Sequence, residues 1–302
     1  MKTKVVVILG PTASGKSDVA VAVALQNNGE VISADSRQVY RGLDIGSGKI
    51  THEEMRGIPH HLLDIADPRE RYSVADFARD ASKAVREIAE RKCIPVIAGG
   101  TGFFIHALID NIALPEVPPN EVLRKTLKDK GVEELFAELK EKDPRRAESI
   151  DPHNPRRLIR ALEIVDALGA VPETTYTFPT DYSKSPYDVL QIGLSIEKDA
   201  LAERIHARLL KRLGGMKKEA HTLHENGLSF ERMEELGLEY RHLAYLLQEK
   251  MTEEEMLEKL EVEIRHYAKR QMTWFSRDSR IEWFSPSEFS EVKKLSEKFL
   301  SS

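Results

Sequence analysis

The sequence predicts an α/β protein, a doubly wound parallel sheet core carrying a helical insertion domain, and three observations lead there. Short β-branched apolar runs at 5–9, 31–35 and 94–100 each end in glycine or a small polar residue. Helical spacing separates these runs, and after a proline-rich joint at 114–120 no strand signal returns for about seventy residues.

Val5-Val6-Val7-Ile8-Leu9 is apolar at every position, as expected of a strand buried on both faces of a parallel sheet. A helix is predicted over 16–26, a second strand over 31–35, and a helix over 73–92 with Ser73 as N-cap three residues before Asp76. The third strand covers 94–100. Strands alternating with helices imply right-handed crossovers and ligands at the strand carboxyl ends, where Gly10, Asp35 and Thr101 fall. Beyond the joint, helices are predicted over 121–130, 132–142 and 155–168, broken at Asp143-Pro144, Asp151-Pro152 and Gly169. A strand at 189–196 returns the chain to the sheet, followed by long helices to about Met272 and a last strand at 281–284. The expected domains are therefore 1–115 with 188–302 as core, and 116–187 as helical insertion.

Composition excludes several classes. A single cysteine, Cys93, rules out a disulfide framework, and no apolar run reaches the eighteen residues of a membrane span. With no signal-peptide pattern after Met-Lys-Thr-Lys, the expected setting is the cytoplasm. A net charge of -5 argues against a general nucleic-acid coat. Charge is nevertheless sorted. Residues 198–218 hold seven bases (Lys198, Arg204, Arg208, Lys211, Arg212, Lys217, Lys218) against Asp199 and Glu203, and 249–263 holds seven acids against Lys250 and Lys259. Two readings stand, a positive face for a polyanion or ordinary solvated helix faces.

Gly10-Pro11-Thr12-Ala13-Ser14-Gly15-Lys16-Ser17 is a P-loop in its required context, after a strand and opening a helix. Its glycines let backbone N–H groups wrap a phosphate, the helix N-terminus adds partial positive charge, Lys16 supplies a point charge, and Ser17 supplies a hydroxyl for Mg²⁺. The core is thus P-loop NTPase-like. The motif specifies a diphosphate or triphosphate without specifying a nucleotide. Asp35, opening Asp35-Ser36-Arg37-Gln38, reads equally as a magnesium or proton acceptor and as a turn cap. Gly99-Gly100-Thr101-Gly102 reads as backbone approaching a ligand, or as a tight turn with Thr101 capping a helix. His60-His61 reads as structural, with no carboxylate or cysteine cluster to complete a metal site. In the insertion Arg156, Arg157 and Arg160 share one helix, and the (i, i+4) pair Arg156 and Arg160 suits phosphate contacts.

Taken together these residues resemble the tRNA dimethylallyltransferases, or tRNA isopentenyltransferases, over essentially the whole chain. The resemblance rests on the P-loop, Ile32-Ser-Ala-Asp-Ser-Arg-Gln38, Gly42-Leu-Asp-Ile-Gly46, Pro59-His-His-Leu-Leu-Asp64, Gly99-Gly-Thr-Gly102, Asp151-Pro-His-Asn-Pro155, Arg160-Ala-Leu-Glu163, and Lys269-Arg-Gln271 with Trp274. It implies transfer of a dimethylallyl group from dimethylallyl diphosphate to the N6 amine of the adenosine 3′ of the anticodon. Gly10 to Ser17 would then hold a leaving diphosphate, helped by Mg²⁺ and Arg208, with Lys16, Asp35 and Thr101 catalytic and Asp35 the general base. The resemblance also assigns tRNA contacts to Asp35, Ser36, Arg37, Gln38, Thr101, Arg124, Arg156, Arg157 and Arg160. It implies a monomer that meets the anticodon stem-loop and no membrane. Gly46-Ser-Gly-Lys49 and Gly237-Leu-Glu-Tyr-Arg241 depart from the family's Gly-Thr-Ala-Lys and Ile-Gly-Tyr-Lys runs, away from the donor site.

Three rival classes are separable in the sequence. An adenylate isopentenyltransferase shares the core but has no need of a long insertion. A P-loop kinase or ATPase would want an acceptor pocket or a Walker B aspartate, whereas the third strand ends in Gly-Gly-Thr-Gly. A non-catalytic RNA-binding module would leave Lys16, Ser17, Asp35 and Thr101 without a role.

Overall fold

A computed structural model describes residues 2–112, 115, 117–172 and 178–302. Six strands form one sheet: β1 (Thr3–Leu9), β2 (Gly29–Ser33), β3 (His60–His61), β4 (Ile94–Gly99), β5 (Tyr187–Leu194) and β6 (Ile281–Phe284). All five pairings are parallel, in the order β3-β2-β4-β1-β5-β6. The expected parallel α/β core is present. Along β1 successive side chains enter opposite layers: Val5, Val7 and Leu9 join Phe77, Val85 and Ile105, while Val6 and Ile8 join Val19, Val23 and Val292. Burial on both faces is why the run carries no polar residue.

The Val74–Glu90 helix starts at the expected box, Ser73 accepting from the Asp76 N–H while the Asp76 side chain accepts from the Ser73 N–H. Several elements escaped the sequence reading, among them the Gly102–Ile109 and Pro144–Ser149 helices. Strand β3 has only two residues, the His52–Met55 helix only four, and the Phe289–Ser301 helix follows the last expected strand. A further helical layer, Lys198–Glu225, Phe230–Leu236, Leu238–Leu247 and Glu253–Phe275, encloses Val39, Tyr40 and Leu43 in a second core.

The chain divides into two compact units, Met1–Ile112 with Phe178–Ser302, and Ala113–Thr177. The expected insertion ran from 116 to 187, yet 178–186 folds with the larger unit. There the Ser185 hydroxyl donates to the Ile109 carbonyl (2.5 Å), and Gln191 Nε2 donates to the Tyr182 hydroxyl (2.8 Å). Leu114 and Glu116 of the proline-rich joint lie outside the described residues.

The smaller unit is helical: Glu121–Lys128, Val132–Lys142, Pro144–Ser149 and Pro155–Leu168. Asn120, Asp143 and Asn154 each cap a helix N-terminus, and Gly169 ends the last at φ 82°, the left-handed conformation glycine tolerates. The Asp143-Pro144 break is therefore a start signal, with proline in the first turn. Leu127, Leu139, Leu158 and Leu162 form its core.

Candidate active site

Register brings the site together. Leu9 is level with Gly99, and Ser33 with Ala98, so the carboxyl ends of β1, β4 and β2 finish side by side. Gly10, Asp35 and Thr101 follow those ends by one or two residues and share one edge of the sheet. The Thr101 N–H donates to the Ala34 carbonyl (3.2 Å), and the Ser36 N–H donates to Thr101 Oγ1 (3.2 Å), binding the loops after β2 and β4.

In the P-loop Ala13 and Gly15 hold φ 62° and 85°, so the chain curls around its own amides. Such a curl is an anion nest, and Gly15 opens the Lys16–Gln26 helix whose N-terminus adds to the field. Ser14 Oγ is buried with no hydrogen-bond partner among the described residues. Lys16 Nζ donates to the Pro11 carbonyl (3.1 Å). Burial lowers the Lys16 pKa to about 8; nearby Asp35 opposes that shift and nearby Arg208 adds to it. These effects put Lys16, Asp35 and Arg208 in one electrostatic neighbourhood.

Asp35 Oδ1 accepts from the N–H groups of Arg37 (2.8 Å) and Gln38 (3.3 Å). The cap reading is thus realised, and the same bonds fix the carboxylate beside the P-loop. Tyr267, unflagged in the sequence, lies in the electrostatic neighbourhood of Asp35 and Thr101, and burial pushes its hydroxyl up from the ordinary range. Glu239, also unflagged, has its pKa raised by burial, against the pull of Arg212 and Arg208. Both come from helices more than 130 residues beyond Thr101, and no local pattern marks them.

The Gly99–Gly102 run has a different purpose from the one expected. A Cβ at Gly99 would lie 2.2 Å from the Ala34 carbonyl oxygen, at Gly100 2.2 Å from Gln271 Nε2, and at Gly102 2.2 Å from Trp274 Cδ1. Its glycines make room for protein, and Thr101 forms no side-chain cap on the helix it precedes.

The Lys198–Glu225 helix clasps the 42–49 loop. Arg208 and Arg212 donate to the carbonyls of Gly48 (3.1 Å) and Gly46 (2.7 Å), while the Glu219 carboxylate accepts from the N–H groups of Asp44, Ile45 and Gly46 (2.6–2.9 Å) and from the Tyr240 hydroxyl (2.8 Å). Tyr240, in the run that departs from the family pattern, is buried and holds this loop. The basic run is partly used internally, and the two charge runs meet where Lys217 pairs with Glu253.

Arg124 makes a bidentate pair with the buried Glu163 (2.6 and 2.8 Å), and Arg160 donates to the Val117 carbonyl (2.8 Å). Arg156 and Arg157 are exposed. His61 Nε2 lies 2.6 Å from Glu30, which also holds Arg91, so this histidine is structural.

Fold and site together define a parallel α/β protein with a P-loop after β1 and an aspartate after β2, the end of β4 lying between them. A model of the IPP transferase family matches residues 38–278, starting just beyond the P-loop and Asp35. A tRNA dimethylallyltransferase of Halalkalibacterium halodurans is 41% identical over 303 residues, 98% of this chain and 96% of its own length. The crystal structure of the full-length tRNA isopentenylpyrophosphate transferase of Bacillus halodurans matches with TM-score 0.73 at 36% identity, covering 100% of this chain and 97% of that one. A eukaryotic dimethylallyltransferase acting on tRNA matches at TM-score 0.77 and 27% identity, over 94% of this chain and 74% of its own. The chain belongs to the IPP transferase family.

Proposed function

We propose that this chain transfers a dimethylallyl group from dimethylallyl diphosphate to the N6 amine of the adenosine 3′ of the anticodon in tRNA, releasing diphosphate. The observation that carries the chemistry is the grouping of Lys16, Asp35 and Thr101 just beyond the ends of β1, β2 and β4, with Arg208 of the Lys198–Glu225 helix in the same electrostatic neighbourhood. Relatives named for tRNA prenylation match over nearly the whole chain and support the substrate class.

The amine lone pair forms the new N–C bond at the allylic C1 as the C–O bond breaks, and its electrons leave with diphosphate. The displaced N–H proton goes to Asp35, whose Oδ1 is held by two backbone N–H groups and whose Oδ2 takes the proton. Lys16, Ser14 Oγ, the amides of Ala13, Gly15, Lys16 and Ser17, and Arg208 face the growing negative charge of the leaving group. Thr101, anchored by the Ser36 N–H, borders the acceptor amine. Ser36, Arg37 and Gln38 address the target nucleotide, and the exposed Arg156 and Arg157 suit phosphate contacts to the anticodon arm. Arg124 and Arg160 support that surface through Glu163 and Val117. Among the described residues no cluster of three or more His, Cys, Asp or Glu could hold a metal. This donor set fits Mg²⁺ held by Ser17 together with diphosphate oxygens and water. When bound, that ion supplies further positive charge against the leaving group. A tRNA substrate supports a cytoplasmic setting.

The deciding experiment incubates the protein with dimethylallyl diphosphate, Mg²⁺ and either tRNA or AMP, and asks which is prenylated. Product on AMP alone would overturn the tRNA reading. Asp35→Ala should lower the single-turnover rate by about two orders of magnitude or more while tRNA affinity stays within a few fold. Near-normal turnover in that variant would remove Asp35 as the base.

A further inference from the structure

We propose that Gln271 is a positioning residue that sets the spacing between the diphosphate cradle and the Thr101 side of the site. The inference rests on the prenyl-transfer reading above. Gln271 is 6% exposed on the Glu253–Phe275 helix. Its Oε1 accepts from the Thr12 N–H in the P-loop (2.8 Å), and its Nε2 donates to the Gly100 carbonyl next to Thr101 (2.9 Å). One planar amide therefore ties the two loops that the proposed reaction must hold in register.

The chemistry at this position is narrow. The glutamine amide offers an acceptor and a donor a fixed distance apart at this reach; an ionised carboxylate offers two acceptors, and a thioether of similar length offers neither in strength. Gly100 leaves room for it, because a Cβ there would sit 2.2 Å from Nε2. The bond also turns the Thr12 N–H towards the helix, while the Ser14 N–H donates to the Pro11 carbonyl (3.3 Å). Gln271 thus selects which amides of the P-loop remain available to an anion. Neighbouring turns of the same helix address the same segment: Tyr267 lies near Thr101, and Trp274 packs against Gly102. Gln271 is in addition bonded to the P-loop. It acts through Thr12 and Gly100, and its effect should fall on the alignment of two substrates, where a misplacement of about 1 Å can lower a rate by about a hundredfold.

The test compares Q271E and Q271M with the unaltered protein by single-turnover prenyl transfer at saturating dimethylallyl diphosphate and tRNA, and by inorganic diphosphate binding. Q271E keeps an acceptor for Thr12 and sets a second one against the Gly100 carbonyl. It should hold diphosphate affinity within about threefold while the transfer rate falls about a hundredfold. Q271M loses both bonds and should weaken diphosphate binding as well as transfer. In Q271E, wild-type turnover, or a rate loss matched by an equal loss of diphosphate affinity, would overturn the positioning role. Amide hydrogen exchange at Thr12 decides the matter apart from activity: protection should survive in Q271E and vanish in Q271M, and protection retained in Q271M would overturn the tie itself. If the unaltered protein binds diphosphate but prenylates neither tRNA nor AMP, the underlying reading fails while the exchange result still judges Gln271.

Discussion

Two glycine-rich loops, Gly10–Ser17 and Gly99–Gly102, look alike in sequence: each follows a buried strand, holds a hydroxyl and opens a helix. Gly10, whose Cβ would lie 2.9 Å from the Leu194 carbonyl oxygen, makes room for protein as the second loop does, but Gly15 and the Gly99–Gly102 glycines serve opposite ends. In the first, Gly15 sits at φ 85° with no heavy atom within 4 Å of where a Cβ would lie, so what matters is the backbone conformation that curls amides towards an anion. In the second, the missing Cβ atoms let Ala34, Gln271 and Trp274 press against the chain. One loop is shaped for a solute and the other by its own protein, and a motif alone does not distinguish them.

The largest effect that would sharpen this contrast is on chemistry. Lys16→Ala should lower kcat/KM by roughly three orders of magnitude, about 4 kcal/mol of transition-state stabilisation, with little change in unfolding free energy. A matching loss of stability would show the P-loop to be structural after all. Next comes Gly99→Ala, whose Cβ meets a backbone carbonyl that cannot turn aside; denaturant unfolding should register a loss of about 3 kcal/mol. Gly15→Ala has open space around it and should lose only about 1 kcal/mol, from the left-handed conformation, while weakening diphosphate binding. If the two glycine variants were equally unstable, the comparison would break.

The smallest effect is a pH dependence. Of the two forms of Lys16 only the ammonium attracts diphosphate, and with its pKa at about 8 that charge is present below pH 8 and lost above it. Bound diphosphate would raise the pKa again, so affinity for inorganic diphosphate should be flat below pH 8 and fall towards about tenfold per unit above it. Calorimetric titration over that range should also detect proton uptake on binding near pH 8. A profile flat through pH 9.5 would detach Lys16 from the anion.

The two charge runs carry a similar lesson. Residues 198–218 suggested a positive face, but Arg208 and Arg212 turn inward to the 46–48 carbonyls and Lys217 pairs with Glu253. In the smaller unit, Arg124 and Arg160 bond to Glu163 and Val117, whereas Arg156 and Arg157 stay exposed. A count of charges does not tell which of them find partners 36 to 166 residues away.

What the sequence alone determined is what depends on near neighbours. The all-apolar β1, the Ser73 and Asp76 box, the helices of 113–177 and the P-loop with its lysine are written in runs of a few residues, because strand burial, capping and anion nests are local in chain terms. What only the tertiary structure decided lies between distant segments. The level ends of β1, β4 and β2, the turning of Gly99–Gly102 towards protein, the Glu219 clasp and the Gln271 tie between Thr12 and Gly100 join residues 65 to 259 positions apart. Such contacts form once the sheet and the helices have packed, so no pattern in either segment could announce them.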